Sequence, residues 1–209
     1  MLLDITRPIC AETLLHPGDP PFMHARYSDM AQSAHYNLSL VTLGIHTGTH
    51  FDFPLHFDNA GPGVEAFPPE RFIVTAHVID CGDAGAVQAA HLLGVPVASG
   101  DAVLFKTRNA DAPQDRMQPG WVYVTPEAAQ ACVELQVGIV GADYIEVEQG
   151  VDAGHYPVHA TLLGHGVLLL ENLDLRGVAA GTYRLYCFPL LIPGLEGSPC
   201  RAVLETLDP

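Results

Sequence analysis

The sequence predicts one strand-rich, mixed α/β domain over residues 1–209, with few helices. Three observations lead there. Apolar, β-branched runs of four to eleven residues recur between Gly, Pro and Asp breakers, which is the pattern of strands. Stretches with helix-start signals are fewer. The two kinds follow one another in no regular alternation, so a repeating βαβ unit is not expected. A chain of 209 residues that is 48% hydrophobic can bury one sizeable core.

In chain order, Arg71–Cys81 (RFIVTAHVIDC) reads as a strand and Ala86–Leu93 as a short helix. Asp101–Thr107 (DAVLFKT) is a second strand. Thr125-Pro126-Glu127 supplies an N-cap, a proline at the first helical position and an acid in the first turn, ahead of a helix over Ala128–Leu135. Val137–Val140 (VGIV) reads as a strand, Tyr156–Leu163 as a third helix, and Leu168–Leu173, Tyr183–Phe188 and Arg201–Thr206 as further strands. Pro17–Pro21, Asn59–Pro69 and Ala110–Pro119 are Gly/Pro/Asp-rich loops, of the kind that form lids or binding loops.

Twenty-four acidic residues against nine basic ones leave a formal charge of −15. Such a surface repels phosphate backbones and anionic lipid, so neither nucleic acid nor a membrane is expected as a partner. The opening Met-Leu-Leu-Asp-Ile-Thr-Arg-Pro has no basic stretch followed by an apolar one, and the apolar run Gly166–Leu170 is far too short to cross a bilayer. Cys10, Cys81, Cys132, Cys187 and Cys200 are scattered, odd in number and without a Cys-x-x-Cys pair. They read as small hydrophobes in a reducing compartment, and the cytoplasm is the expected location.

The chemistry concentrates in His46-Thr-Gly-Thr-His50-Phe-Asp52-Phe-Pro-Leu-His56. His46, His50, Asp52 and His56 all occupy even positions, so an extended chain turns them to one face. A straight strand would spread His46 and His56 over roughly 33 Å at about 3.3 Å per residue, so the chain must bend. Gly48 and Pro54 are the residues that permit it. The i, i+4 spacing of His46 and His50 also suits a helix, but Thr47, Gly48, Thr49 and Pro54 oppose one. Imidazoles and carboxylates in this density suit zinc, manganese or iron. A second signal is Glu171 inside the apolar run Val167–Leu173, where an ionised carboxylate must be paired, hydrogen-bonded or metal-bound. His159, a dozen residues earlier, would complete a site with it.

The pattern His46-x-Gly48-Thr49-His50-x-Asp52-x-Pro54-x-His56 resembles the signature of the cyclase family, which includes bacterial kynurenine formamidases (arylformamidases). Asp4-Ile-Thr-Arg-Pro, His16-Pro-Gly-Asp-Pro, His159 with Leu170-Glu171-Asn-Leu, and Gly197-Ser-Pro-Cys-Arg-Ala extend the likeness over most of the chain. The resemblance implies a swivelling β/β/α-type fold, a homodimer, and one or two divalent metals, zinc first and manganese as the alternative. It implies that His46, His50 and Asp52 hold one ion and that Asp52, His159 and Glu171 hold a second, with His56 as the acid/base residue. Family members of the kynurenine formamidase kind usually carry tryptophan where this chain has His16, and the single Trp121 lies elsewhere. His16 thus becomes the candidate substrate-binding position.

The expected activity is hydrolysis of a small amide-type substrate such as N-formylkynurenine by metal-activated water. A cyclic imide, isatin-type amide, lactone or ester remains open, as does a metal-dependent binding protein without catalysis. His77 and His91 suit structural positions, His165 lies in a turn near the supposed site, and Lys106 and Arg108 suit either an anionic substrate group or the surface.

Overall fold

The computed structural model describes residues 1–149 and 154–207. The strands of the first half are β1 (Leu2–Asp4), β2 (Met23–Ser28), β3 (Leu38–Thr42), β4 (His50–Asp52), β5 (Ile73–Asp80) and β6 (Ala86–Val87). Then follow β7 (Ala102–Lys106), β8 (Tyr123–Val124), helix α1 (Pro126–Glu134), β9 (Ile139–Ala142) and helix α2 (Pro157–Gly164). The chain closes with β10 (Leu168–Glu171), β11 (Gly181–Tyr186), β12 (Gly197–Pro199) and β13 (Val203–Thr206). This is the mixed, strand-rich α/β architecture the sequence predicts.

Nine strands form one sheet in the order β1-β13-β11-β5-β7-β9-β10-β4-β12. Its centre, β5-β7-β9-β10, is parallel, and the pairs on both flanks are antiparallel. The sheet cannot be flat. Only Cys200–Ala202 separate β12, at one edge, from β13, second from the other edge. That link reaches at most about 14 Å, whereas seven flat strand spacings would span about 34 Å. The sheet therefore curls, and Thr6 at one edge bridges Leu173 just beyond β10.

Curling gives the central strands two buried faces. Ala102, Leu104, Ile139, Leu168 and Leu170 point into the curl with Phe51, Phe53 and Leu204. Val103, Phe105, Val140 and Leu169 point outward, where α1 and α2 cover them with Ala128, Cys132, Val158 and Leu162. Helix α1 starts as its sequence predicts, with Thr125 Oγ1 accepting the Ala128 N–H at 3.2 Å and Pro126 in the first turn.

Ala86–Leu93 is not a helix. Its first two residues pair as β6 with β8, burying Val87, and only a 3₁₀ turn at Ala89–Leu92 follows. A segment this short gains more from a ladder and one buried side chain than from an uncompleted helical turn. The strand expected from Arg71 begins at Ile73, because Pro69–Phe72 forms a 3₁₀ turn. There the Arg71 guanidinium donates to the carbonyls of Gly138 and Gly166.

Candidate metal centre

The sheet decides which way the motif's side chains turn. Phe51 and Phe53 enter the core of the curl, so the alternating His50 and Asp52 face the side that α2 covers. In the β4–β10 ladder His50 stands opposite Glu171, and Asp52 opposite Leu169. Leu170 points into the curl, so Glu171 shares the outer face with His50 and Asp52.

The predicted bends are present. Gly48 has φ +70°, and an added Cβ would lie 2.7 Å from Ile9 Cγ1, so both backbone and space call for glycine. The turn returns His46 to the strand, with its Nδ1 at 2.7 Å from Asp52 Oδ1. Gly197 on β12 makes room for that ring, since a Cβ there would lie 2.8 Å from His46 Cε1. Beyond β4, Pro54 opens the 3₁₀ turn Pro54–His56, which brings the His56 and His46 rings to 4.2 Å between centroids.

His159 arrives from the first turn of α2. Its Nε2 lies 3.5 Å from Asp52 Oδ2 and 3.8 Å from Glu171 Oε1. Glu148 accepts the Val158 and His159 N–H groups through Oε1 and sets Oε2 3.2 Å from His159 Nδ1. A carboxylate against free amides of a helix N-terminus is favourable, and it holds His159 where the helix begins.

The donor set fits a divalent cation. His50 Nδ1–H donates to the Gly48 carbonyl at 2.9 Å, which leaves Nε2 as a lone pair. That lone pair faces two carboxylates, Asp52 Oδ1 at 3.3 Å and Glu171 Oε2 at 3.5 Å, and all three groups are buried. His50 Nε2, Glu171 Oε1 and His46 Nε2 have no hydrogen-bond partner among the described residues. Buried lone pairs aimed at one another repel unless a proton or a metal ion lies between them. Potential ligand atoms fall within 4.8 Å of one another in three sets: His46, Asp52 and His56; His50, Asp52 and Glu171; and Glu146, His159 and Glu171.

The side chains alone show the conflict. Burial raises the pKa of Asp52, but the imidazoles of His159, His46 and His50 hold it well below the usual carboxylate range. Burial and the Asp52 charge push Glu171 well above that range. Burial lowers His56 to about 4 against the pull of Asp52, so its imidazole is neutral at pH 7.

All six predicted site residues, His46, His50, Asp52, His56, His159 and Glu171, line one cavity of ≈ 290 Å³. His16 lies on its wall, with Nε2 3.6 Å from Glu146 Oε2. Sequence reading did not single out Glu146 and Glu148. Their signal is two acids alternating with the buried Ile145 and Val147 directly after a core strand. Phe57 and Tyr156, with rings 5.0 Å apart, also line the cavity. Trp121 stacks on Tyr144 and donates to the Glu148 carbonyl at 2.9 Å, behind the site.

The remaining candidates serve the scaffold. His77 pairs with Asp101 at 2.9 Å, and His91 caps its 3₁₀ turn. His165 Nδ1–H donates to the Thr161 carbonyl. Lys106 and Arg108 donate to the carbonyls of Val178 and Gly120.

Residues 3–149, which include the motif, match the putative cyclase family. The chain belongs to that family. This cyclase-family chain is 35% identical to the kynurenine formamidase of Salinibacter ruber, over 98% of this chain and 97% of that protein. It is 30% identical to the kynurenine formamidase of Bacillus cytotoxicus, again over 98% and 97%. The cyclase fold is shared with a solved structure described as a potential metal-dependent hydrolase with cyclase activity. That likeness has a TM-score of 0.86 at 27% identity and covers 100% of this chain and 99% of the other. His159 and Glu171 lie beyond the matched segment, yet the fold returns both to it.

Proposed function

We propose that this metal-dependent hydrolase of amide-type bonds cleaves an aryl formamide, with N-formylkynurenine as the reference substrate, to formate and the free arylamine. The observation that carries the reading is the buried His50 Nε2 lone pair facing Asp52 and Glu171, a geometry that suits a cation. The two kynurenine formamidase relatives support the bond type. His46, His50 and Asp52 would hold one ion, and Asp52, His159 and Glu171 a second. Zinc is the proposed first ion, because two imidazoles and a carboxylate are zinc-type donors. When bound, such an ion polarises a carbonyl and lowers the pKa of water from about 15.7 to near 7.

The chain's own groups supply the rest. His56, neutral at pH 7, accepts the proton of the attacking water on an imidazole nitrogen and returns it to the departing nitrogen. An arylamide nitrogen leaves poorly without that proton. Phe57 and Tyr156 present aromatic surface to the substrate ring, a role that His16 does not fill as a tryptophan would.

Two copies of the chain pair in solution. What supports this is the β2–β3 hairpin, which leaves Met23, Tyr27, Leu38 and Leu40 exposed. A cytoplasmic location is supported by five free cysteines. No helix among the described residues is long and apolar enough to cross a membrane.

The deciding assay is hydrolysis of N-formylkynurenine by chelator-stripped protein before and after zinc or manganese is restored. Turnover that returns with metal is the expected result. Absence of turnover with either ion overturns the formamide substrate.

A further inference from the structure

We propose that Glu146 is an additional metal ligand, and that with Glu171 and His159 it forms an oxygen-rich position. That position takes a harder, more weakly held divalent ion than the imidazole-rich position of His46, His50 and Asp52. The inference rests on the metal-dependent reading above and extends it to a residue outside the ligand set proposed there.

Glu146, His159 and Glu171 each offer a ligand atom within 4.8 Å of the others, and all three are buried. The Glu146 carboxylate is held from behind, where Oε1 accepts the Glu148 N–H at 2.8 Å. Its side chain is one-tenth exposed and lines the cavity, with Oε2 3.6 Å from His16 Nε2. On the facing wall Glu171 Oε1, also buried, has no hydrogen-bond partner among the described residues. Neither lysine nor arginine is among the described residues lining the cavity. Glu146 and Glu171 therefore face each other with only imidazoles beside them, His16 at Glu146 and His159 at Glu171, and a metal ion would compensate both carboxylates at once.

The donor chemistry separates the two positions. The set Glu146, His159 and Glu171 has two carboxylates to one imidazole, with Asp52 Oδ2 close by. Around Asp52 Oδ1 the imidazoles of His46 and His50 predominate. Carboxylate-rich sites suit manganese and magnesium, whereas imidazoles suit zinc. Manganese binds more weakly than zinc at any one site, so the difference shows as an order of filling. Zinc enters the imidazole-rich position first, and manganese then enters the carboxylate-rich one.

The experiment loads chelator-stripped full-length protein with one equivalent of zinc and titrates it with Mn²⁺, following loss of the free-ion paramagnetic resonance signal. The zinc-loaded wild type is expected to take up one equivalent of Mn²⁺. Glu146→Gln is expected to hold one zinc but bind Mn²⁺ at least tenfold more weakly. Zinc-loaded wild type that takes up no Mn²⁺ overturns the proposal, and this arm decides even where the variant folds poorly. A folded variant that binds Mn²⁺ as the wild type does, or that loses zinc as well, also overturns it. Stripped wild type that takes up no zinc overturns the metal reading of the whole site instead.

Discussion

His50 and Glu171 face each other across the β4–β10 ladder, with the imidazole Nε2 3.5 Å from Glu171 Oε2 and the opposite ring nitrogen already bound to the Gly48 carbonyl. The pair attracts only when a proton or a metal ion joins it. The consequence is measurable as stability. Wild type should gain from zinc, by about 2.7 kcal/mol at a hundredfold excess of ligand over Kd. Glu171→Gln should gain much less. Its metal-free melting temperature should stay near that of wild type or above it, because glutamine keeps the shape of a carboxyl group whose charged form burial and Asp52 already disfavour. Thermal melts with and without zinc test this, and an unchanged zinc shift in the variant counts against Glu171 as a ligand.

His56 sits beside His46 and not in the ladder. A proton carrier and a ligand differ in what their loss removes. His56→Ala should lower kcat by about 10² to 10⁴ while metal content stays near that of wild type. Metal analysis alongside single-turnover kinetics decides, and parallel loss of metal and rate would make His56 a ligand.

Gly197 tests the packing behind the site. An added Cβ would meet His46 Cε1 at 2.8 Å and the Phe51 carbonyl at 2.9 Å, and the backbone atom cannot swing aside. Gly197→Ala should cost about 1–3 kcal/mol and weaken zinc binding through a displaced His46. Urea unfolding and zinc titration check both effects, and wild-type values for both would show that β12 yields freely.

Asp143 carries a pH dependence separate from the candidate metal ligands. Burial pushes its pKa up to about 6, although Thr107 donates both its N–H and its hydroxyl to the carboxylate. The folded protein therefore holds this proton more tightly than the unfolded chain, whose aspartate titrates near 3.9. The stabilisation is complete below about pH 4 and is lost as pH rises through about 6, a span of about 3 kcal/mol. Asp143→Asn should remove that component, so the wild-type-minus-variant stability should fall between pH 4 and 7. Urea unfolding across that range measures it, and parallel pH profiles would overturn the assignment.

Much of the candidate site is legible in the sequence because four of its six residues lie within one short segment, His46–His56. The two-residue period of extended backbone accounts for His50 and Asp52, while the Gly48 turn and the 3₁₀ turn at Pro54 bring in His46 and His56. Glu171 is legible for a different reason, as a charge in an otherwise apolar run. Glu146 and Glu148 escaped notice because alternating acids after a strand look like a solvated edge. Burial under α2 and the His16 wall is what makes them polar groups in need of partners. Ala86–Leu93 failed as a helix for a comparable reason. Its fate was decided by β8, more than thirty residues away in sequence.

The amino-acid sequence by itself determined the strand-rich α/β class, the start of α1, and the group of histidine and aspartate side chains that share one face. These depend on local periodicity, caps and breakers, which act within a few residues. Only the tertiary structure decided that the sheet curls, that β4 lies between β10 and β12, and that His159 and Glu171 close on Asp52 from more than a hundred residues away. Strand order and register are set by which apolar faces can be buried together, and that is a property of the whole chain.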